Sequence, residues 1–222
     1  MQNEQSEKDE VKARLFSRRG VLAAMFSGCV GTLISCGKKA KAPARSPEQY
    51  KVRLQTTKGD VILLVHRDWA PHGADHFYEL VKMGFYDDNR FFRAVRGFVV
   101  QFGMNGDPKV NGDWANITIP DDPPKMSNKT GTITFANSGP DSRSTQVFIN
   151  LADNVRLDSM DFPPFGEVIE GMDHVEHFYM DYGDGPPKGD GPDQSDIAAT
   201  GNAFLDHRFP NLDRLIRARI IA

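Results

Sequence analysis

The order of hydrophobic and polar residues predicts two strands and a helix at the start of the folded region. Residues 51–56 alternate between polar and apolar side chains, which indicates a half-buried strand. Lys58-Gly59 supplies a turn, and the apolar run 61–65 predicts a second, more fully buried strand. A helix then begins at Pro71, because apolar residues follow it at helical spacing (Ala74, Phe77, Tyr78 and Val81).

The middle of the chain predicts further short strands around an irregular segment. Residues 91–101 read as one apolar strand that carries two polar heads, Arg93 and Gln101. Residues 103–128 are rich in Gly, Asn, Asp and Pro, and we expect a loop there. A second apolar region covers residues 135–150, where a Gly-Pro turn separates two runs.

The last part of the chain predicts one more helix and one more strand. The amphipathic spacing indicates a helix over residues 172–182, and a Gly/Pro/Asp loop follows over residues 183–195. A short helix is expected near residues 201–204. The final strand places Ile216, Ala218 and Ile220 on one face. Many short strands and two helices predict a mainly β fold, a closed antiparallel barrel capped at its ends, since closure removes exposed sheet edges.

Length and composition exclude several classes of protein. The 222 residues suit one domain with an appendage. The 27 basic and 30 acidic residues are mixed along the chain, so we expect no nucleic-acid partner. Both cysteines, Cys29 and Cys36, lie in the first forty residues, so the folded domain can contain no disulfide framework or thiolate metal site.

The first thirty-five residues have the composition of an export signal. A polar start leads to adjacent arginines, Arg18 and Arg19, and then to an apolar run that is too short to span a bilayer. This arrangement resembles a twin-arginine signal. Leu33-Ile34-Ser35-Cys36 resembles a bacterial lipobox, which makes Cys36 the lipidated first residue of the mature chain. Cleavage before Cys29, an uncleaved anchor, or a start codon placed too early are the alternatives.

These features divide the chain into three parts. Residues 1–35 are the signal peptide, residues 36–49 a flexible linker that two prolines keep extended, and residues 50–222 the functional domain. We expect an exported lipoprotein, tethered to a membrane and facing the periplasm or another extracytoplasmic space. We expect the protein to be a monomer.

The polar side chains of Arg93 and Gln101 indicate a binding site. On a regular strand Arg93, Val99 and Gln101 share one face, because every second side chain points the same way. Two hydrogen-bonding groups beside apolar residues suit a neutral, apolar substrate with exposed amide groups.

Several motifs in order make the chain resemble the cyclophilin family of peptidyl-prolyl cis/trans isomerases, from about Tyr50 to Ile221. They are Phe91-x-Arg93, Gly97-Phe98-x-x-Gln101, Ala136-Asn137-x-Gly139-Pro140, Gln146-x-Phe148 and Leu157-Asp158 with a following Phe165-Gly166. The resemblance implies an eight-stranded barrel and a substrate of proline-containing polypeptides, with no cofactor and no metal. It also implies the catalytic residues Arg93, Gln101 and Asn137. The substrate-binding residues that it implies are Phe98, Val99, Ala136, Gln146, Phe148, Leu157 and Phe162.

The sequence departs from the family pattern at two places. Many eukaryotic members have a Trp just before the Leu-Asp pair, where it helps to bind cyclosporin, but Arg156 stands there in this chain. We therefore expect weak cyclosporin binding. Many relatives also have a His at the pocket rim. The segment from Leu157 to Gly166 is one residue longer in this chain, and Phe162 is the nearest equivalent of that His.

One other function remains open, and two apparent metal sites are not expected. A tethered proline-binding chaperone or scaffold without turnover could use the same fold. His72 and His76 have the spacing of a zinc pair but lack a catalytic Glu between them, so we expect ordinary helix positions. The aspartates of residues 181–196 are interrupted by prolines, so we expect an acidic solvated loop rather than a calcium site.

Overall fold

The computed structural model of the chain describes residues 45–222. The expected signal peptide, Cys36 and the linker up to residue 44 lie outside the described residues. The strands are β1 (Gln49–Thr56), β2 (Gly59–His66), β3 (Asn89–Arg90), β4 (Arg93–Val95), β5 (Val99–Phe102), β6 (Thr132–Phe135), β7 (Val147–Asn150), β8 (Pro164–Glu170) and β9 (Arg214–Ile221). The helices are α1 (Pro71–Lys82), α2 (Pro108–Ala115), α3 (Met172–Glu176), α4 (Gln194–Thr200) and α5 (Asn202–Arg208), with a 3₁₀ helix at Val155–Met160. None of the helices within residues 45–222 has the length and hydropathy needed to cross a membrane.

One antiparallel sheet contains all nine strands, in the order β3-β9-β1-β2-β8-β6-β7-β5-β4. If this sheet were flat, its edge strands would lie about 38 Å apart, since neighbouring strands are about 4.8 Å apart. The edge strands β3 and β4 are joined only by Phe91 and Phe92, which span at most about 11 Å. The sheet must therefore curl, and the mainly β antiparallel architecture is confirmed. The described residues form nine strands where eight were expected. Complete closure stays a prediction, because their pairings include no ladder between β3 and β4.

The core follows from the sequence pattern of the strands and α1. Buried residues alternate with exposed ones along β1, and β2 buries Val61, Leu63 and Val65 completely, as predicted. Helix α1 buries Phe77, and the centroid of its ring lies 5.0 Å from that of the Phe165 ring on β8. The contacts of the domain begin before Tyr50, because both the backbone N–H and the hydroxyl of Ser46 donate to the Asp75 carboxylate.

The helix predicted over residues 172–182 is wrong in length, since α3 ends at Glu176. The backbone N–H of Tyr179 donates to the carboxylate of Asp213 rather than to a carbonyl one turn earlier. The ring of Phe178 stacks on Phe91 with centroids 4.2 Å apart. Tertiary contacts therefore replace the helical hydrogen bonds that the apolar spacing had suggested.

Helix α2 interrupts the segment expected to be irregular. Asp107 accepts a hydrogen bond from the backbone N–H of Lys109, and Pro108 occupies the first turn. Asp followed by Pro is a helix start signal, which the loop prediction overlooked. The short helix expected near residues 201–204 is confirmed as α5.

The predicted face of the last strand is wrong at Ile216, whose side chain is 40% exposed. Gln55 pairs with Arg217 and Thr56 pairs with Leu215, so Ile216 is the extra residue of a β-bulge. Because a bulge shifts the alternation by one position, Leu215 is buried in its place.

Candidate active site

The two polar heads lie on a hairpin, not on one strand. Strands β4 and β5 are antiparallel, and Gly97 adopts a φ of 65° in the turn between them. Arg93 is directly opposite Gln101 in this pairing. The predicted single strand is therefore wrong, but its consequence holds, because cross-strand partners share a face.

A row of hydrogen bonds starts at Arg93 and runs across the sheet. The guanidinium donates from Nη1 to Oε1 of Gln101 at 3.0 Å, and Gln101 donates from Nε2 to Gln146 at 2.7 Å. Gln146, which immediately precedes β7, donates in turn to Gln194 at the start of α4 at 3.0 Å. Each amide is oriented by its neighbour, so the row has a defined geometry.

Arg93 also forms an ion pair with Asp184. Its Nε donates to Oδ1 at 2.8 Å and its Nη2 donates to Oδ2 at 3.0 Å. The side chains remain 21% and 25% exposed, respectively. Hydrogen bonds from the Arg93 guanidinium hold the pKa of Asp184 below its usual value. A guanidinium has five N–H groups. Three are engaged, which leaves one on Nη1 and one on Nη2.

An apolar cluster lies beside this polar row. Val99, Phe148 and Leu157 are buried together, and Phe98, Ala136 and Phe162 pack against them. The rings of Phe148 and Phe162 meet edge to face with centroids 5.8 Å apart. Leu157 comes from the 3₁₀ helix and Phe148 from β7, so only the folded chain brings these residues together.

Asn137 lies just after β6, at the edge of the same site. Its side-chain amide donates to the carbonyl of Asp161 at 2.8 Å, which ties two loops together. In the described part of the chain, neither its backbone N–H nor its backbone carbonyl has a hydrogen-bond partner. Both groups are thus available to an extended peptide.

Most of these residues line a cavity of about 480 Å³. Of the ten residues predicted for catalysis and substrate binding, nine line it, and Gln146 lines an adjoining cavity of about 320 Å³. The two cavities share Gln101, Ala136, Asn137 and Gln194. The volume is in the range of small-ligand sites and is large enough for one or two residues of a peptide.

Sequence reasoning missed one wall of the cavity. Residues 184–188 and Gln194 line it, although the segment was expected to be solvated loop. Of its aspartates, Asp184 forms the ion pair inside the cavity. The repeated Gly and Pro of this segment were the available signal, since such loops often position functional groups.

Arg156 also lines the cavity, with its guanidinium 4.9 Å from the centre of the Phe98 ring. Arg93 lies 5.5 Å from the same centre. Both cations thus lie at a distance from Phe98 that permits a cation–π interaction.

The helical histidines His72 and His76 do not line this cavity. His76 is buried and donates from Nε2 to the carbonyl of Ser144 at 2.6 Å. Within residues 45–222, no group of three or more His, Cys, Asp or Glu side chains is placed to hold a metal ion.

Comparison with known proteins shows which family the chain resembles. A model of the family described as "Cyclophilin type peptidyl-prolyl cis-trans isomerase/CLD" matches residues 51–196. The chain is 36% identical over 131 residues to peptidyl-prolyl cis-trans isomerase cypE of Dictyostelium discoideum. This alignment covers 56% of this chain and 81% of that protein. It is 33% identical over 131 residues to peptidyl-prolyl cis-trans isomerase 10 of Caenorhabditis elegans, with 56% and 79% covered.

A solved structure shows the same fold. The crystal structure of a cyclophilin type peptidyl-prolyl cis-trans isomerase from Cryptosporidium parvum superposes with a TM-score of 0.58 at 20% identity. The match covers 78% of this chain and 98% of that one. The family match and the curated relatives identify the activity, and the chain belongs to the cyclophilin-type peptidyl-prolyl cis-trans isomerases, a family of enzymes.

Proposed function

We propose that the cavity around Arg93 is where this enzyme catalyses rotation about X–Pro peptide bonds. In this proposal Arg93 is the donor to the prolyl nitrogen, Gln101 holds a carbonyl oxygen, and the backbone of Asn137 holds the residue before proline. The observation that supports it most directly is the pair of unengaged N–H groups on Arg93 above an apolar floor. The pyrrolidine ring packs on that floor, which consists of Phe98, Val99, Phe148, Leu157 and Phe162, with Ala136 and Gln146 at the neighbouring subsite.

Arg93 contributes by binding the twisted amide more tightly than the planar one. In a planar amide the nitrogen lone pair is delocalised and accepts hydrogen bonds poorly. When the bond rotates, the lone pair becomes localised on the prolyl nitrogen. A donor aimed at this nitrogen therefore forms its bond mainly in the transition state, which is the condition for raising kcat.

The magnitudes show that Arg93 does not act alone. The uncatalysed barrier is about 20 kcal/mol. A hydrogen bond from a charged donor contributes about 1.5–3 kcal/mol. A rate gain of roughly 2 × 10⁴ requires about 6 kcal/mol. The remainder comes from Gln101 and Asn137, which hold the flanking carbonyl groups while the apolar floor fixes the ring.

Proline-containing polypeptides are the proposed substrates. The cavity has an open apolar floor for a ring and polar groups for peptide amides on its margins. The structure from Cryptosporidium parvum was also determined in the presence of the dipeptide Ala-Pro. A short X–Pro unit suits a cavity of about 480 Å³.

We further propose that the enzyme assists folding of exported proteins from a membrane anchor. The adjacent arginines, the short apolar run and the lipobox-like sequence before Cys36 support export and lipidation. Replacing Cys36 by Ser should move the protein from the membrane fraction to the soluble fraction. A variant that stays with the membrane would refute the lipid anchor and leave the isomerase proposal intact.

The test of the catalytic assignment is an isomerase assay with the full chain and a peptide that contains one X–Pro bond. We expect Arg93→Ala to lower kcat/KM roughly 10- to 150-fold, the equivalent of one charged hydrogen bond. Arg96→Ala is the matched control, because Arg96 lies on the same hairpin, is exposed and pairs with Asp181 away from the cavity.

Three outcomes separate the possibilities. A selective loss in the Arg93 variant supports the proposal. Equal activity in the Arg93 variant and the wild type refutes the role of Arg93. Peptide binding without turnover in the wild type favours a tethered proline-recognising chaperone or scaffold instead.

A further inference from the structure

The Arg93–Asp184 ion pair joins the proposed donor to a carboxylate that the catalytic scheme above does not use. The two residues are 91 positions apart in the chain, and both line the cavity. The contact is bidentate, with distances of 2.8 and 3.0 Å. A bidentate pair fixes the plane of a guanidinium, whereas a single contact leaves it free to turn.

The loop around Asp184 is folded so that this carboxylate is held in place. The backbone carbonyl of Asp184 accepts a hydrogen bond from the backbone N–H of Gly191 at 2.9 Å. A Cβ on Gly189 would lie 2.4 Å from that carbonyl oxygen, and a Cβ on Gly191 would lie 2.9 Å from it. Only glycine lets the loop close so tightly. The N–H of Gly185 donates to Oδ1 and restrains the side chain itself.

The same segment also contacts the other end of the row of hydrogen bonds that starts at Arg93. Gln194, at the start of α4, accepts from Gln146, which is linked through Gln101 to Arg93. Residues 184 and 194 therefore contact both ends of the row. The segment between them also contributes Gly185 and Lys188 to the wall of the cavity.

We propose that Asp184 is the positioning residue of Arg93, and that the loop of residues 183–194 is a brace that holds the donor in its catalytic orientation. This inference rests on the proposed role of Arg93. Asp184 engages Nε and one N–H of Nη2 and so directs the remaining N–H groups. Asp184 itself makes no bond to the substrate.

The physical benefit of the brace is preorganisation. A free arginine side chain has large rotamer entropy, which is lost each time the donor engages the prolyl nitrogen. The ion pair with Asp184 removes most of this freedom before the substrate binds. Since the bond to the nitrogen forms mainly in the transition state, loss of the brace lowers kcat more than it raises KM.

The test uses Asp184→Asn in the full chain, with Asp181→Asn as the matched control. Asp181 also pairs with an arginine of the β4–β5 hairpin, but that pair is exposed and does not line the cavity. We expect Asp184→Asn to lower kcat about tenfold with KM nearly unchanged, which corresponds to about 1.4 kcal/mol. Asp181→Asn should keep the activity of the wild type.

A double-mutant cycle distinguishes positioning from a general structural effect. In an Arg93→Ala background, Asp184→Asn should cause no further loss, because the residue through which it acts is absent. The Nε–H proton of Arg93 gives an independent signal, since its exchange with solvent, followed by NMR, should accelerate in Asp184→Asn and not in Asp181→Asn.

The outcomes are distinguishable from failure of the proposed function. If Arg93→Ala shows the expected loss and Asp184→Asn is fully active, the positioning role alone is overturned. A tenfold loss that persists in the Arg93→Ala background also overturns it, because Asp184 would then act independently of Arg93. If Arg93→Ala itself remains fully active, the catalytic assignment of Arg93 is refuted, and the positioning role of Asp184 is refuted with it.

Discussion

Mild acid is expected to destabilise the domain through His76. This side chain is 1% exposed, and its Nε2–H donates to the carbonyl of Ser144. Burial lowers the pKa of His76 from 6.5 to about 4; the Ser144 hydrogen bond opposes this effect, and the nearby Arg143 cation adds to it. The folded protein thus binds the proton less readily than the unfolded chain.

The sign and size of the effect follow from this difference in pKa. Between pH 6.5 and pH 4 the unfolded chain holds more protons than the folded one, so the free energy of unfolding falls as the pH falls. A difference of that size gives a loss of about 2 kcal/mol between pH 7.5 and pH 5. Below pH 4 both states are protonated and the contribution of His76 no longer changes.

Urea unfolding at pH 7.5 and pH 5 measures this loss. His76→Gln keeps an N–H donor for Ser144 but does not titrate, so its free energy of unfolding should fall about 2 kcal/mol less than that of the wild type. His207→Gln is the control, because His207 is an exposed histidine of α5. If wild type and His76→Gln lose the same free energy between the two pH values, the reasoning from the buried imidazole is refuted.

Three further predictions concern the cavity and its loop. Phe148→Ala should lower the free energy of unfolding by about 3 kcal/mol and raise KM, since it removes a buried ring from the apolar floor; an unchanged KM would exclude Phe148 from the substrate site. Gly189→Ala should lower kcat several-fold by displacing Asp184, whereas Gly112→Ala, at a position with open space, should not; equal kcat values would contradict the brace. Cyclosporin should inhibit the wild type weakly and Arg156→Trp more strongly in the isomerase assay, because Arg156 replaces the Trp of many relatives at the cavity; a nanomolar inhibition constant for the wild type would contradict this expectation.

Three elements with a clear local signal were predicted well. Alternation indicated β1, the apolar run indicated β2, and helical spacing after a proline indicated α1. Their sequence patterns match the structure because most of the buried side chains of each element belong to the same hydrophobic core. At the shortened α3 and the bulge at Ile216, a contact from a distant part of the chain replaced a local hydrogen bond or shifted a register. Helix α2 differs from these, because its local start signal at Asp107 and Pro108 was overlooked.

The candidate site shows the same division. The residue types and their order were readable along the chain, and nine of the ten predicted catalytic and binding residues line one cavity. That Arg93 and Gln101 share one face was inferred from an incorrect single strand, and it is true because a hairpin pairs them. Local composition alone could not distinguish these routes, since both place the two residues on one face.

The sequence by itself determined the mainly β fold, the family motifs and the choice of Arg93 as the proposed donor, because these depend on short-range periodicity and on residue type. Only the tertiary structure decided which of several aspartates meets Arg93. That contact joins residues 91 positions apart, and it depends on a glycine-rich loop closing to within hydrogen-bond distance. Spacing along the chain contains no information about such a distance, since loop closure is set by the packing of the whole domain.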